Sequence, residues 1–74
     1  MLSFQVVNSG REIQIACDEQ GMTTLIGALE RIRHTGGHVH LRAPSNGGRE
    51  LSEKTLWGDD AVGEVIITCN GDDN

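Results

Sequence analysis

EIQIACDEQGMTTLIGALERIRHTGGHVHLR, residues 12–42, decides the fold, because its apolar spacing changes from the strand period to the helix period and back again. From Glu12 to Cys17, Ile13, Ile15 and Cys17 alternate with Glu12, Gln14 and Ala16, which gives a strand with one apolar face. Asp18 can then cap the free N–H groups of a helix, and Glu19 adds favourable charge at its positive end. Met22, Leu25, Ile26, Leu29 and Ile32 follow at helical spacing, so a helix is predicted over 19–34. Arg31, Arg33 and His34 suit its negative end, and Gly36 or Gly37 supplies the left-handed residue that stops it. Gly21 and Gly27 weaken the helix by up to about 1 kcal/mol each relative to Ala, unless they allow close packing on a sheet. A short strand follows over 38–42, with Val39 and Leu41 toward the helix and His38, His40 and Arg42 on the other face.

Upstream, Leu2 to Val7 is a second β-rich run, joined to the first by the polar turn Asn8-Ser9-Gly10, so the chain opens with a hairpin whose Phe4 and Val6 point inward. Downstream, Pro44 ends the His38–Arg42 strand and Ser45 to Gly48 is turn chemistry, with Leu51 and Leu56 tucked back toward the core. Glu64 to Cys69 supplies the last strand, Val65, Ile67 and Cys69 facing in and Glu64, Ile66 and Thr68 facing out. Gly71 to Asn74 is expected to fray. The order ββαββ predicts one α+β domain over 1–74, a two-layer sandwich in which one helix crosses a four-stranded, mainly antiparallel sheet. Strand orders 2-1-3-4 and 1-2-4-3 both keep neighbours antiparallel. With the last strand antiparallel to the second, Cys17 and Cys69 fall at opposite sheet edges, beyond the roughly 7 Å Cα limit for a bridge, and two free thiols are expected.

Composition narrows the classes of function. A 74-residue chain buries only about 60% of its unfolded surface, and with Phe4 and Trp57 as its only aromatic residues it has little to line a deep pocket. Charge is uneven: residues 1–49 carry five Arg against four acids, whereas residues 50–74 carry seven acids against Lys54. Such a surface disfavours nucleic acid and anionic membranes and attracts basic partners. The start Met1-Leu2-Ser3-Phe4 has neither the basic region nor the apolar length of a signal or membrane span, so a cytoplasmic, thiol-reducing location is expected.

Few residues are disposed for chemistry. His38 and His40 project from one strand face about 6.5 to 7 Å apart, a step that can let two imidazoles meet one metal, with Glu12, Glu64 or His34 as a third ligand. None of these has diagnostic spacing, and histidines hydrogen-bonded on a half-exposed sheet face, or a partner contact, are the favoured readings of the pair over a metal site. Ser45 and Ser52 lack a nucleophile elbow, and Gly47-Gly48 lacks the Lys-Ser/Thr ending of a phosphate loop, so both read as turn chemistry and no enzyme or cofactor is expected. Trp57 either plugs the end of the core or anchors a partner, and Asp59 and Asp60 beside it can meet basic side chains or start a turn.

Taken together, Asp18-Glu19-Gln20-Gly21-Met22, Leu25, Leu29, His38-Val39-His40-Leu41, Pro44-Ser45, Gly47-Gly48 and Glu50-Leu51-Ser52 resemble the Immunity protein 32 family of bacterial polymorphic toxin systems. The resemblance spans about Ile13 to Ile67 and is most specific in HVHLRAPSNGGRELSE. It implies a small cytoplasmic, non-enzymatic protein that binds and blocks a cognate protein toxin. The family pattern has an aromatic residue before Gly-Gly, where this chain has Asn46.

The expected contact patch is His38, His40, Arg42 and the loop Ser45, Asn46, Gly47, Gly48, Glu50 and Glu53, flanked by Trp57, Asp59 and Asp60. The acidic C-terminal third would steer a basic, nuclease-type toxin. Two rivals remain: a homodimer through an open sheet face carrying Val7, Ile66, His38 and His40, and a metal-dependent regulator built on His38 and His40.

Overall fold

A computed structural model describes residues 1–56, 58 and 60–70. Its elements are β1 (Leu2–Val7), β2 (Glu12–Cys17), α1 (Glu19–Arg33), β3 (Gly37–Arg42), a 3-10 turn over Pro44–Asn46, and β4 (Glu64–Cys69). The expected α+β order forms. Between β1 and β2 the chain reverses through Asn8, Ser9 and Gly10, all at positive φ, with Gly10 N–H donating to the Val7 carbonyl at 3.1 Å. Asp18 caps α1 by accepting from Gly21 N–H at 2.8 Å, and its carboxyl is held below the ordinary value by the N-terminal ammonium of Met1 and then by that same Gly21 bond. Gly36, at φ +76°, ends the helix and donates to the Ile32 carbonyl at 3.1 Å.

The two helical glycines differ. A Cβ on Gly21 would stand 1.7 Å from the Met1 carbonyl oxygen, so only glycine lets the helix start this close to β1. Gly27 has open space around its Cα and serves no such approach.

The strands pair as two separate antiparallel ladders, β1 with β2 and β3 with β4, and the expected four-stranded sheet does not form. The reason lies at the edge of β1. Its outward carbonyls, Leu2 and Phe4, accept from Ser52 N–H (2.7 Å) and Val62 N–H (2.8 Å). The outward groups of β3 at Arg42 are likewise taken, the carbonyl by Leu51 N–H (3.1 Å) and the N–H by the Glu50 carboxylate (3.0 Å). Leu51 and Ser52 therefore lie between β3 and β1, bonded to both, where a direct ladder was expected. Neither strand order 2-1-3-4 nor 1-2-4-3 is realised.

The core joins Leu2 and Phe4 of β1, Ala28 of α1, Leu41 of β3, and Ala43 and Leu51 of the connection, with Cys17, Leu25, Val39, Val62, Val65 and Ile67 packed against it. The inward faces of β3 and β4 are as expected. Four sequence expectations about burial and faces fail. Val6, Ile13 and Ile15 do share the face of Leu2, Phe4 and Cys17, since directly opposed residues point the same way, yet they are more than half exposed because this face is buried only at its Leu2–Cys17 end. On α1 the buried line is Gly21, Ala28 and Ile32, with Leu25 partly buried, and Met22, Ile26 and Leu29 stand outside it. Small residues bring the helix close to the sheet and shift the centre of its buried stripe by one position. Leu56 is 68% exposed, whereas Leu51 is buried as expected. Val7 and Ile66 sit on different ladders, so the single sheet face that would carry both with the histidines is absent. Cys17 and Cys69 are free thiols, each partly buried. Trp57, Asp59 and the Gly71–Asn74 tail lie outside the described residues.

Candidate functional site

The site is built on the outer face of the β3–β4 hairpin. The register sets His38 opposite Thr68, His40 opposite Ile66 and Arg42 opposite Glu64, so these six side chains share one face while Val39, Leu41, Val65 and Ile67 turn to the core. Glu64 Oε2 accepts from His40 Nδ1 at 2.7 Å and from Arg42 Nε at 3.0 Å. These bonds hold the Glu64 carboxyl below its ordinary value of 4.5, the His40 bond first and the Arg42 bond second. An ionised carboxylate only accepts, so the proton of this bond belongs to His40 Nδ1. The 3.2 Å approach of Arg42 Nη2 to the same nitrogen is then a contact between donors, not a second hydrogen bond. The His40 ring is thereby oriented with Nε2 left for an outside group, and the His38 ring meets it edge-on at 5.1 Å. Ile66, 56% exposed, stands among them as the apolar member of the face.

The loop predicted to share this patch is organised inward. Glu53 accepts from Ser45 N–H at 2.6 Å and from Ser45 Oγ at 3.1 Å. Glu50 accepts from Arg42 N–H (3.0 Å) and Arg49 N–H (3.4 Å), and the Arg42 bond is the main cause that depresses its carboxyl. Gly47 takes φ +86°, and a Cβ on Gly48 would stand 2.3 Å from the Cβ of Arg42, so Gly-Gly folds the loop back onto β3. The pair is a close-packing device in addition to a turn. Asn46 lies exposed, accepting from Ser45 Oγ at 3.3 Å, and its side chain occupies the space over Gly63. Asp60 is exposed farther along the connection.

Of the predicted patch, His38, His40 and Arg42 come together, Ser45, Asn46 and Gly47 form the exposed turn that follows β3, and Glu50, Glu53 and Gly48 hold that turn in place. Glu64, Ile66 and Thr68 complete the face and were not among the predicted contacts. Their signal was the antiparallel register, which places the outward residues of β4 beside the histidines once the two strands are paired. Ser45 and Ser52 act in turns, the latter accepting Lys54 N–H at 3.2 Å, and neither hydroxyl engages a histidine. Among the described residues no three His, Cys, Asp or Glu side chains converge as a metal site. Glu64, the nearest candidate third ligand, is engaged by His40 and Arg42.

A second feature had no forecast. Ile26, Leu29, Ile32 and Arg33 of α1 and Ile67 and Cys69 of β4 line an open, mostly apolar groove of about 410 Å³. It exists because Ile26 and Leu29 lie outside the buried line of the helix.

No protein-family model, curated protein or solved structure matches this chain. No helix among the described residues is long and apolar enough to cross a membrane.

Proposed function

We propose that this chain is a non-enzymatic immunity protein that binds and neutralises a protein toxin in the cytoplasm, using the outer face of β3–β4. The observation that carries this reading is the fixed arrangement of Arg42 and His40 on Glu64 around the exposed Ile66. A polar set locked before binding loses little side-chain freedom on association, and an apolar residue ringed by oriented polar groups has the anatomy of an interface centre. The resemblance of residues 38–53 to the Immunity protein 32 family, read from the sequence and matched by no family model, implies the same role. The acidic C-terminal third favours a basic partner, for which a nuclease-type toxin domain is the natural candidate.

Co-expression with the product of the gene adjacent to this one tests the proposal, with survival and co-purification scored together. Rescue with a stable complex, weakened at least tenfold by Arg42→Ala or His40→Ala, is the expected result. Toxicity unrelieved and no complex would reject it. Low salt is expected to speed association. Because Glu50 and Glu53 hold the loop, the steering contribution is better isolated with Asp59→Asn and Asp60→Asn.

A further inference from the structure

Among the described residues the outward edge of β1 is bonded at Leu2 and Phe4 and that of β3 at Arg42, whereas other stretches of strand edge carry no described backbone bond. Ala43 N–H donates to the Gly63 carbonyl at 2.9 Å, and 43 faces 63 in the register that continues β3–β4. Alternation then turns the N–H and C=O of Val65, Ile67 and Cys69 toward β3 and those of Glu64, Ile66 and Thr68 away from it. The outward N–H of Val62, just before β4, already donates to Phe4 of β1. From Glu64 to Thr68 no backbone partner closes the edge among the described residues. β2 at Ile13 and Ile15 and β3 at His38 and His40 are likewise without a described outward backbone bond. Only β4 runs beside the apolar groove, to which it contributes Ile67 and Cys69.

We propose that the open edge of β4 pairs antiparallel with β4 of a second copy, about a two-fold axis at Ile66, joining two hairpins into a four-stranded sheet. Backbone parity leaves room for an extended strand at this edge, and the side chains favour a copy of the same one. With Ile66 opposite its own counterpart, Glu64 of each copy lies opposite Thr68 of the other, beside that copy's His38. Each carboxylate thus meets a hydroxyl and an imidazole and not another carboxylate. On the inner side Val65 lies opposite Ile67 of the second copy, and Ile26 and Leu29, both near half exposed, are brought to the contact from each helix.

The available area, about 400 Å² in projection, is below that of a large stable interface and suits a weak dimer populated at high concentration. Six strand residues extend about 20 Å, and adding the helix layer some 10 Å below gives a contact roughly 20 Å on each side. A stable interface of the smaller kind covers about 600 Å² per copy, a small part of the 5216 Å² surface of the chain. The formal charge of -5 on each copy opposes association, so added salt is expected to strengthen the dimer.

Light scattering and sedimentation over micromolar to millimolar concentration test the pairing without any toxin, so its failure is separable from failure of the immunity reading. Wild type is expected at twice the 8.0 kDa chain mass at the upper end. Ile66→Pro removes only an outward N–H, a change edge strands tolerate, and should return the mass to one chain with an unchanged circular dichroism spectrum. Ile66→Lys should do the same, whereas Ile15→Lys on the open edge of β2 should remain dimeric. Should the hairpin not tolerate proline, cross-linking supplies an independent answer. In a Cys17→Ser, Cys69→Ser background, Ile66→Cys faces itself at a Cα distance of about 5.5 Å and should oxidise to a covalent dimer, while Thr68→Cys should not. A wild type monomeric throughout, a dimer that survives both Ile66 substitutions, or one lost through Ile15→Lys would overturn the proposal.

Discussion

Glu64 and Gly48 carry more of this molecule than their sequence context announces. Glu64 orients two side chains at once, and its depressed carboxyl links that arrangement to pH. A group whose folded value lies below its unfolded value stabilises above the latter, and the contribution disappears as pH falls through the folded value. Wild type is therefore expected to lose stability as pH drops below about 4.5, and Glu64→Gln, already less stable at pH 7, to show a shallower acid decline in thermal unfolding. Parallel curves would show that Glu64 holds nothing. Gly48→Ala places a methyl into the Arg42 backbone, with an expected cost of about 1 to 3 kcal/mol and loosening of the loop that Glu50 and Glu53 tie down. Urea denaturation measures it, and wild-type stability would contradict the close approach. Ser3 is the opposite case: its hydroxyl is buried with no partner among the described residues, so Ser3→Ala should stabilise by about 1 kcal/mol.

At the level of elements, α1 separates a glycine of structural necessity from one of mere tolerance. Gly27→Ala meets open space and should raise stability by about 1 kcal/mol, whereas Gly21→Ala would collide with Met1 and lower it. Equal effects of the two in thermal melts would refute that distinction. The same helix shows what periodicity can and cannot convey. Its extent was legible from Asp18, the apolar spacing and Gly36, because these are local signals. Its buried line was not, because Gly21 and Ala28 bury the helix through their smallness and contribute no hydrophobic mark to a pattern of large residues. Likewise the faces of β1 and β2 follow from alternation within each strand, but how much of a face is covered depends on where the helix ends. Ile13 and Ile15 thus point the expected way and remain in water.

Taken as a whole, the molecule departs most from its sequence reading in the residues 43–63. Alternating strands suggest one sheet, and nothing in the local pattern says that Ser52 and Val62 will take the carbonyls of β1 that a neighbouring strand would use. The candidate site was half visible for a similar reason: His38, His40 and Arg42 lie within five residues of one another, while Glu64, which organises them, comes from a strand far along the chain. At this scale charge also matters. Asp18, Glu50 and Glu64 all have depressed carboxyls, so the whole fold should be more stable at neutral pH than near pH 3, with the steepest loss below about 4.5. A flat stability profile across that interval would mean that the bonds of these three carboxylates do not persist in solution.

Leu51 and Ser52 also bear on time. They belong to no strand, yet their amides donate to β3 and to β1, the two halves of the fold. Releasing either one requires the hairpins to part. In hydrogen exchange, irregular segments normally trade their protons quickly, but these two should hold theirs as long as the slowest amides of the β3–β4 ladder, opening only when the entire chain unfolds. Their neighbours should exchange sooner: Glu53 has no described amide bond, and the Lys54 amide donates only to the Ser52 hydroxyl within the same segment. The last place to let go would then be a dipeptide within the connection, and the two hairpins would live and unfold as one cooperative body.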